Sequence, residues 1–344
     1  MKLHMMKYFS RAAVLMLVVL LACAFLTAGC GEQHQKKVAL LFSHEPIRWT
    51  EGGQMMKEQL EQDGMQAELT VFTTEQDQTA AIEAAVANKV DCIVIAGGDI
   101  KNLREGFEKA KEAHIPIIDY DNLTPDTDAV SYYVTFDNYG VGEAMGKYIV
   151  QKMNLRNGGG PYNVEFFSGS DTDSNAKLMY QGAYDVLKPY FDNGQLRVPS
   201  GQSDYASSAI KNWDGKNAEA RMKELVSNYY QGQPLDIVVA ASDGIAYGVI
   251  DGLAGYGGAW PLITGQDADK KARDYIRTGK MAFSIQKDSI VLNQKCLRMI
   301  KAVVDGSQPE INDVSSYSNG VITVPTYLCT PRIIDKDNLS AIED

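Results

Sequence analysis

The sequence predicts an α/β protein built from doubly wound parallel sheets and divided into two domains. From Lys37 onward, short apolar runs alternate with longer segments of helical periodicity, which is typical of doubly wound folds. The apolar runs are continuous rather than alternating in hydrophobicity, which indicates parallel strands covered on both faces. The chain has 344 residues, more than one ordinary hydrophobic core can organise, so we expect two domains.

The strands are predicted from short apolar runs that are bounded by turn residues. They are residues 38–42, 67–72, 91–97, 115–121, 131–136, 163–169, 196–200, 236–242, 261–267 and 281–286. Between them, apolar residues recur every three or four positions, the period of a helix with one buried face. The helices predicted in this way include Glu51–Asp63, Gln78–Asn88, Lys101–Ala113, Val141–Met153, Ala176–Tyr190, Ala218–Tyr230 and Lys270–Thr278.

The first thirty residues have the features of an export signal. A basic start precedes an apolar stretch over residues 12–25, and small residues then lead to Cys30. The ending Leu-Thr-Ala-Gly-Cys resembles the lipobox of bacterial lipoproteins, whose cysteine is lipidated and becomes the first residue. We therefore expect a signal peptide at 1–29, a lipid on Cys30 and a linker at 30–36. The alternative, an uncleaved membrane anchor, leaves the rest of the chain on the same side of the membrane.

The charge of the exported part excludes one class of partner. Loss of Lys2, Lys7 and Arg11 with the signal changes the net charge from −11 to −14. Nucleic acid demands a basic face, so we expect no nucleic-acid partner.

The sequence offers little material for a catalytic or metal site. The cysteines beyond residue 30 are Cys92, Cys296 and Cys329, and their spacing predicts neither a disulfide framework nor a zinc site. A Cys296–Cys329 disulfide stays open. Residues 171–175 match the opening of an EF-hand loop, but that loop's turn glycine and bidentate glutamate are missing. No nucleophile elbow, zincin motif or P-loop occurs. We expect no metal, no cofactor and no catalytic residue.

Polar clusters follow many of the predicted strands. In open α/β sheets, ligands bind outside the carboxyl ends of the strands, so these clusters mark candidate site positions. The clusters are Arg48-Trp49, Asp121-Asn122, Asp137-Asn138, residues 171–175, Ser242-Asp243, Gln266-Asp267 and Lys287-Asp288. Considered alone, each Asp or Asn is typical of a helix N-cap. Taken together with an Arg and a Lys, they indicate a binding site.

The residue types in these clusters suit a sugar. Carboxylates and amides pair with adjacent hydroxyl groups, and a charged partner makes each hydrogen bond shorter and stronger. The apolar face of a sugar ring needs a flat aromatic surface, which Trp49 or Trp213 can supply. The set therefore favours a neutral polyol over a lipid or an oligonucleotide.

Several segments carry a resemblance to a known family. They are RWTEGG (48–53), DYDNL (119–123), TFDNYGVGEA (135–144), GSDTDSNAKL (169–178), LKPYFDNGQL (187–196), ITGQDAD (263–269) and NGVITVPTYLCTP (319–331). In these segments the chain resembles the sugar-binding proteins of ABC transporters, specifically the xylose-binding and ChvE-type multiple-sugar-binding family. The resemblance runs from about Lys37 to the end of the sequence.

The resemblance implies a type I periplasmic-binding-protein fold, in which two α/β lobes are joined by three crossover hinge strands and close around the ligand. The crossings are expected near Thr135–Asn138, Ile285–Asp288 and Gly320–Pro325. The N-terminal lobe is then expected at 36–136 and 288–320, and the C-terminal lobe at 139–286 and 323–344.

The resemblance also implies ligand residues. The family pattern falls on Arg48, Asp121, Asp173, Asn175, Trp213, Asp267 and Lys287. Arg48 and Lys287 are expected to donate to sugar oxygens, the aspartates to accept from hydroxyls, and Trp213 to pack on the ring. Three further expected ligand positions depart from the xylose binders, with Asn122 in place of Arg and Ser174 and Ser242 in place of Asn. These departures change the donors that the site offers, so the sugar itself stays open.

The expected function is delivery of a monosaccharide, such as xylose, glucose or galactose, to an ABC importer by a monomeric lipoprotein. The membrane partner is thus an ABC permease. The first alternative is a sensory subunit for a chemoreceptor or histidine kinase. The second is a carbohydrate-acting enzyme, and a nucleoside or autoinducer ligand also stays open because the fold hosts them. Repressors of the same fold carry a DNA-binding headpiece before the two lobes. This chain has its predicted signal peptide there, so we do not expect a repressor.

Overall fold

A computed structural model describes residues 35–44, 47–97 and 100–342. The strands are β1 Lys37–Ser43, β2 Gln66–Phe72, β3 Cys92–Ala96, β4 Ile117–Tyr120, β5 Val130–Phe136, β6 Tyr162–Phe167, β7 Leu196–Arg197, β8 Ile237–Ala240, β9 Leu262–Ile263, β10 Phe283–Gln286, β11 Thr326–Cys329 and β12 Arg332–Asp335. The helices are α1 Ile47–Gln62, α2 Glu75–Ala87, α3 Ile100–Glu112, α4 Asn138–Lys152, α5 Ser174–Asp192, α6 Tyr205–Ser208, α7 Gly215–Tyr229, α8 Asp243–Gly252, α9 Lys270–Arg277 and α10 Ser289–Val304.

The first lobe is a parallel sheet covered by helices on both faces. Its strand order is β2-β1-β3-β4-β5-β11, and all the pairings are parallel. Helices α1 and α10 pack on one face, around Met56 and Leu292. Helices α2 and α3 pack on the other, around Ile82 and Phe107. The continuous apolar strands are thus buried on both sides, as their sequence indicates.

The second lobe repeats this architecture with a smaller sheet. Its parallel order is β7-β6-β8-β9, and an antiparallel pair, β10 and β12, continues the lobe. A single bridge between Gln266 and Ile285 connects the pair to the parallel strands. Helices α4 and α5 cover one face, and α7, α8 and α9 cover the other. The predicted fold class of two doubly wound parallel-sheet lobes is confirmed.

The chain passes between the lobes three times. It leaves the first sheet at the end of β5 and returns to the first lobe between β10 and α10. The third passage was expected near Gly320–Pro325, but it lies between Cys329 and Arg332. The reason is that β11 still pairs with β5 of the first sheet, whereas β12 pairs with β10 of the second lobe. Residues 326–329 therefore belong to the first lobe, not to the second.

The three cysteines in the described part of the chain are free thiols. Cys92, Cys296 and Cys329 are buried in the same face of the first lobe, and burial raises the pKa of all three thiols. The Cys296–Cys329 disulfide that the sequence left open is absent among these residues. None of the helices within the described ranges is long and apolar enough to cross a membrane. The predicted signal peptide and Cys30 lie outside the described residues.

Candidate functional site

A cavity of about 870 Å³ lies where the carboxyl ends of the strands of the two lobes face each other. Its walls come from the segments that follow β1, β3 and β4 in the first lobe and β6, β7, β8, β9 and β10 in the second. Every predicted ligand residue lines this cavity. These residues are Arg48, Trp49, Asp121, Asn122, Asp173, Ser174, Asn175, Trp213, Ser242, Asp267 and Lys287. The volume is that of a typical small-molecule site.

Asp121 holds the basic and aromatic side chains of the first lobe together. Its Oδ2 atom lies 2.6 Å from Nη1 of Arg48 and accepts a hydrogen bond of 2.8 Å from Nε1 of Trp49. The guanidinium also lies over the indole, with its Cζ atom 5.9 Å from the ring centroid. Asp121 is only 2% exposed, so its carboxylate is shielded from water even though Arg48 stays partly accessible, and its contacts hold the three side chains together.

The same contacts keep Arg48 and Asp121 charged. Burial opposes the charge on Arg48, but the carboxylates of Asp121 and Asp267 outweigh it, so the pKa of the guanidinium is raised above its ordinary value. Burial also opposes ionisation of Asp121. The charges of Arg48 and Lys287, with the hydrogen bond from Trp49, outweigh this and hold the pKa of Asp121 below its ordinary value.

The backbone at Asp121 turns sharply at the end of β4. Its φ of 63° is in the left-handed region, which aspartate tolerates better than most residues. The turn aims its carbonyl oxygen at three donors: the Tyr133 hydroxyl at 2.9 Å, Oγ1 of Thr135 at 3.2 Å and Nδ2 of Asn175 at 2.8 Å. Asn175 belongs to α5, so this last bond joins the two lobes beside the cavity.

Asp173 performs two tasks at the start of α5. As the N-cap, its Oδ1 atom accepts from the backbone N–H of Asn175 at 2.9 Å, and its Oδ2 atom accepts from Nε1 of Trp213 at 3.2 Å. Burial raises the pKa of Asp173, although the Asn175 N–H and the charge of Lys287 oppose the shift. Asp173 is therefore a helix N-cap that also borders the cavity. Ser174 follows it at the cavity wall.

The two tryptophans of the cavity rest on glycines. A Cβ atom added at Gly97 would lie 2.6 Å from Cζ3 of Trp49, and one added at Gly169 would lie 2.2 Å from Cη2 of Trp213. Real side-chain carbons do not approach so closely, so each indole packs against bare backbone at a strand end. The glycines thereby set how deep each ring lies in the wall, one ring from each lobe.

We expect Gly169→Ala to displace Trp213 and to destabilise the protein by about 1–3 kcal/mol, because overpacking forces side chains from their preferred positions. Denaturant unfolding, together with the tryptophan emission of the folded protein, measures both effects. Gly232→Ala is the matched control, because an added Cβ there has no atom within 4 Å. Equal stability and emission for the two variants would contradict this packing.

Lys287 enters the cavity from the second crossing. Its side chain is buried, and Nζ donates to Oδ1 of Asn138 at 3.1 Å and lies 5.5 Å from the Phe136 ring centroid. Within the described ranges no carboxylate forms an ion pair with it. The ammonium has three N–H donors, and the bond to Asn138 uses one. The remaining donors are available to a ligand.

Ser242, Asn122 and Asp267 complete the predicted set. Ser242 is the N-cap of α8, and its Oγ atom accepts from the Ile245 N–H at 3.2 Å. Asn122 follows the Asp121 turn at the mouth of the first lobe. Asp267 is exposed to the cavity and has a φ of 101°, while its backbone N–H donates to the Ile285 carbonyl at 2.8 Å.

The cavity also contains residues that the sequence did not single out as ligands. They are Gly97, Leu123, Thr124, Pro125, Ser170, Thr172, Met179, Asn212 and Gln266. Thr172 and Gln266 lie within the polar clusters that the strand ends revealed, so that signal covers them. Other cluster members do not line the cavity: Asp137 and Asp288 cap α4 and α10, the role that single aspartates suggest.

Among the described residues, three buried side-chain atoms have no hydrogen-bond partner: Oδ1 of Asp121, Nδ2 of Asn138 and Oε1 of Gln266. Buried polar atoms are rarely left unpaired. Asp121 and Gln266 line the cavity, and Asn138 holds Lys287 beside it. The buried polar atoms without a partner are thus concentrated at this site, as expected where a ligand supplies the missing hydrogen bonds.

Comparisons with known proteins identify the family of the chain. The family described as periplasmic binding protein domain matches residues 38–308. The chain is 37% identical over 297 residues to the multiple sugar-binding periplasmic protein SbpA of Azospirillum brasilense, covering 85% of this chain and 83% of that protein. It is 27% identical to the D-xylose-binding periplasmic protein of Escherichia coli (strain K12), covering 94% of both.

A solved structure also resembles the chain. An ABC transporter solute-binding protein from Clostridium phytofermentans with bound β-D-glucose superposes with a TM-score of 0.83 at 38% identity, covering 89% of this chain and 96% of that one. These matches confirm the resemblance to ABC-transporter sugar-binding proteins that the sequence motifs carried. The chain therefore belongs to the periplasmic binding protein family.

Proposed function

We propose that this protein binds a monosaccharide between its two lobes and delivers it to an ABC importer. The observation that carries the proposal is the cavity itself, in which charged and amide side chains from both lobes meet two tryptophans. Relatives named for binding multiple sugars and xylose, and a similar structure holding β-D-glucose, support the same ligand class.

The charge balance of the cavity favours a neutral ligand. Arg48 already pairs with Asp121, and Lys287 lies close enough to Asp121 and Asp173 to affect the pKa of both carboxyls. With Asp267 included, the carboxylates outnumber the cations, so an anionic ligand meets net repulsion. Hydroxyl groups pair with both signs, since each donates one hydrogen bond and accepts others. An aldose can form hydrogen bonds with the charged and amide side chains of the cavity without adding charge.

The preferred sugar is an aldopentose or aldohexose such as xylose, glucose or galactose. Asn122, Ser174 and Ser242, which depart from the xylose-binding pattern, all line the cavity. Each of these side chains is shorter than the one in the xylose-binding pattern. The shorter side chains leave more space in the cavity and change which sugar hydroxyls can be hydrogen-bonded. We therefore propose that these three positions adapt the cavity to a sugar other than xylose alone.

A titration of the soluble protein, beginning after Cys30, with a panel of neutral aldoses tests the function. Tryptophan fluorescence reports binding, because Trp49 and Trp213 lie in the cavity wall. We expect a saturable change with one or two sugars and no product after prolonged incubation, since the protein is proposed to bind without turnover. No response across the panel, checked by calorimetry, would contradict sugar binding.

We expect Asp267→Ala to weaken sugar binding by about 2 kcal/mol, or roughly 30-fold, because it leaves polar groups of the ligand unpaired in the closed site. Calorimetric titration measures the change. Asp274→Ala on α9 is the control, because Asp274 lies on the surface in an ion pair with Arg277. Equal affinity in the two variants would remove Asp267 from the binding site.

We propose further that the protein is exported and attached to the membrane by lipid on Cys30, facing the periplasm or the cell exterior as a monomer. The basic, apolar and small-residue pattern of residues 1–30 supports this. We expect Cys30→Ser to move the protein from the membrane fraction to the soluble fraction. Continued membrane association of that variant would indicate a spanning anchor instead.

A further inference from the structure

Asp267 is held in an unusual backbone conformation. Its φ is 101°, and the next residue, Ala268, has a φ of 51°. Neither residue is glycine, so both positions are strained, and such strain persists only where surrounding contacts enforce it. The contacts that enforce it therefore determine where the Asp267 carboxylate points into the cavity.

Besides the Ile285 carbonyl, which accepts from the Asp267 N–H, those contacts come from Asp243 and Ser284. The backbone N–H of Ala268 donates to Oγ of Ser284 at 3.0 Å, and the Ser284 hydroxyl donates to Oδ1 of Asp243 at 2.6 Å. The backbone N–H of Asp269 donates to Oδ2 of Asp243 at 3.0 Å. The two amides that follow Asp267 are thus both held by one carboxylate, directly or through one hydroxyl.

Helix capping does not account for Asp243. The N-cap of α8 is Ser242, whose own hydroxyl accepts from Ile245, and the Asp243 carboxylate turns away to the loop and to β10. Asp243 is 2% exposed and Ser284 is fully buried. Burial and the charge of Asp267 raise the pKa of Asp243. Burial of this carboxyl group is unfavourable, and the group does not cap its own helix. We therefore expect it to have another role.

We propose that Asp243 and Ser284 are positioning residues that hold the backbone after Asp267 so that its carboxylate meets the sugar. The proposal rests on the proposed function. Neither residue lines the cavity, so we expect them to act on binding mainly through the loop that carries Asp267. Ser284 lies on β10, three residues before Lys287, so the same strand supports both ligand groups.

The test is a double-mutant cycle in the purified protein. Ser284→Ala leaves one donor, the Ala268 N–H, without its partner, and is milder than Asp243→Ala, which leaves both the Ser284 hydroxyl and the Asp269 N–H without theirs. We expect Ser284→Ala to weaken binding of the preferred aldose at least tenfold, but to have little further effect in an Asp267→Ala background. Ser208→Ala is the matched control, because Ser208 is equally buried and its hydroxyl pairs with Ser168. It should leave affinity unchanged.

Equal losses of affinity from Ser284→Ala in both backgrounds would overturn the proposal, since the residue would then act independently of Asp267. No loss in the wild-type background would overturn it as well. A second readout needs no ligand: hydrogen exchange of the peptide spanning 266–270 should quicken in Ser284→Ala and not in Ser208→Ala. If the wild type binds no aldose, the proposed function fails. Exchange then decides by itself whether Ser284 holds this loop, and an unchanged rate would reject that role.

Discussion

Asp121→Asn is expected to weaken sugar binding at least 100-fold and to destabilise the ligand-free protein by about 2–3 kcal/mol. The change removes the negative charge that pairs with Arg48 and leaves the backbone free to keep its φ of 63°, which asparagine tolerates. The Arg48 side chain is 31% exposed, so the loss of stability is smaller than for a fully buried pair. Calorimetry measures affinity, and denaturant unfolding measures stability.

The control for this experiment is Asp126→Asn. Asp126 also has a left-handed φ, of 54°, and lies in the same loop, but it is exposed and does not line the cavity. It should change neither affinity nor stability appreciably. If Asp121→Asn behaved like this control, the Arg48–Asp121–Trp49 unit would have no role in binding.

Asp119→Asn is expected to raise stability at pH 8 by about 4 kcal/mol and to have little effect at pH 4. Asp119 is fully buried, and burial raises its pKa to about 7 although hydrogen bonds from Thr124 oppose the shift. Its pKa in the unfolded chain is about 3.9. The unfolded state therefore loses this proton first, so the wild type loses stability as pH rises from about 4 to 7.

The asparagine keeps both contacts of Asp119. Its oxygen can accept from the Thr124 N–H, now 2.6 Å from Oδ2, and its amide can donate to Oγ1 of Thr124, now 3.1 Å from Oδ1. Unfolding curves at several pH values measure the difference between variant and wild type. Asp128→Asn is the control, because Asp128 is a surface carboxylate paired with Lys111, which lowers its pKa. A pH-independent difference for Asp119→Asn would show that its burial does not perturb ionisation.

The candidate site could be predicted from the sequence because the fold places it at strand ends. The polar clusters after the strands are local in sequence, and a parallel sheet brings all its carboxyl ends to one edge. Asp121 and Asp267 are therefore recognisable without knowing which strands are neighbours. What the sequence does not reveal is their support, such as the Asp243–Ser284 contact, since it joins residues 41 positions apart.

Other parts of the fold could not be predicted for physical reasons. Strands β11 and β12 have four residues each and follow one another closely, so neither gives a clear apolar run, and the third crossing between them was misplaced. Helix α8 is rich in glycine, which lowers helix propensity. Its helical state depends on packing: Gly248 lies so close to the Gly215 carbonyl of α7 that an added Cβ would be 1.9 Å from that oxygen.

The position of the third crossing determines when each lobe can be completed during synthesis. The first lobe contains α10 and β11, which are synthesised only after nearly the whole second lobe. One face of its sheet keeps exposed apolar residues until α10 has been made, and the β5 edge stays open until β11 has been made. By the end of β10 the second lobe lacks only β12 and the residues that follow it, of which Leu339 enters its core. In vectorial synthesis or export, the first lobe therefore begins first but cannot be completed until nearly the whole second lobe has been made, and meanwhile it needs protection from aggregation.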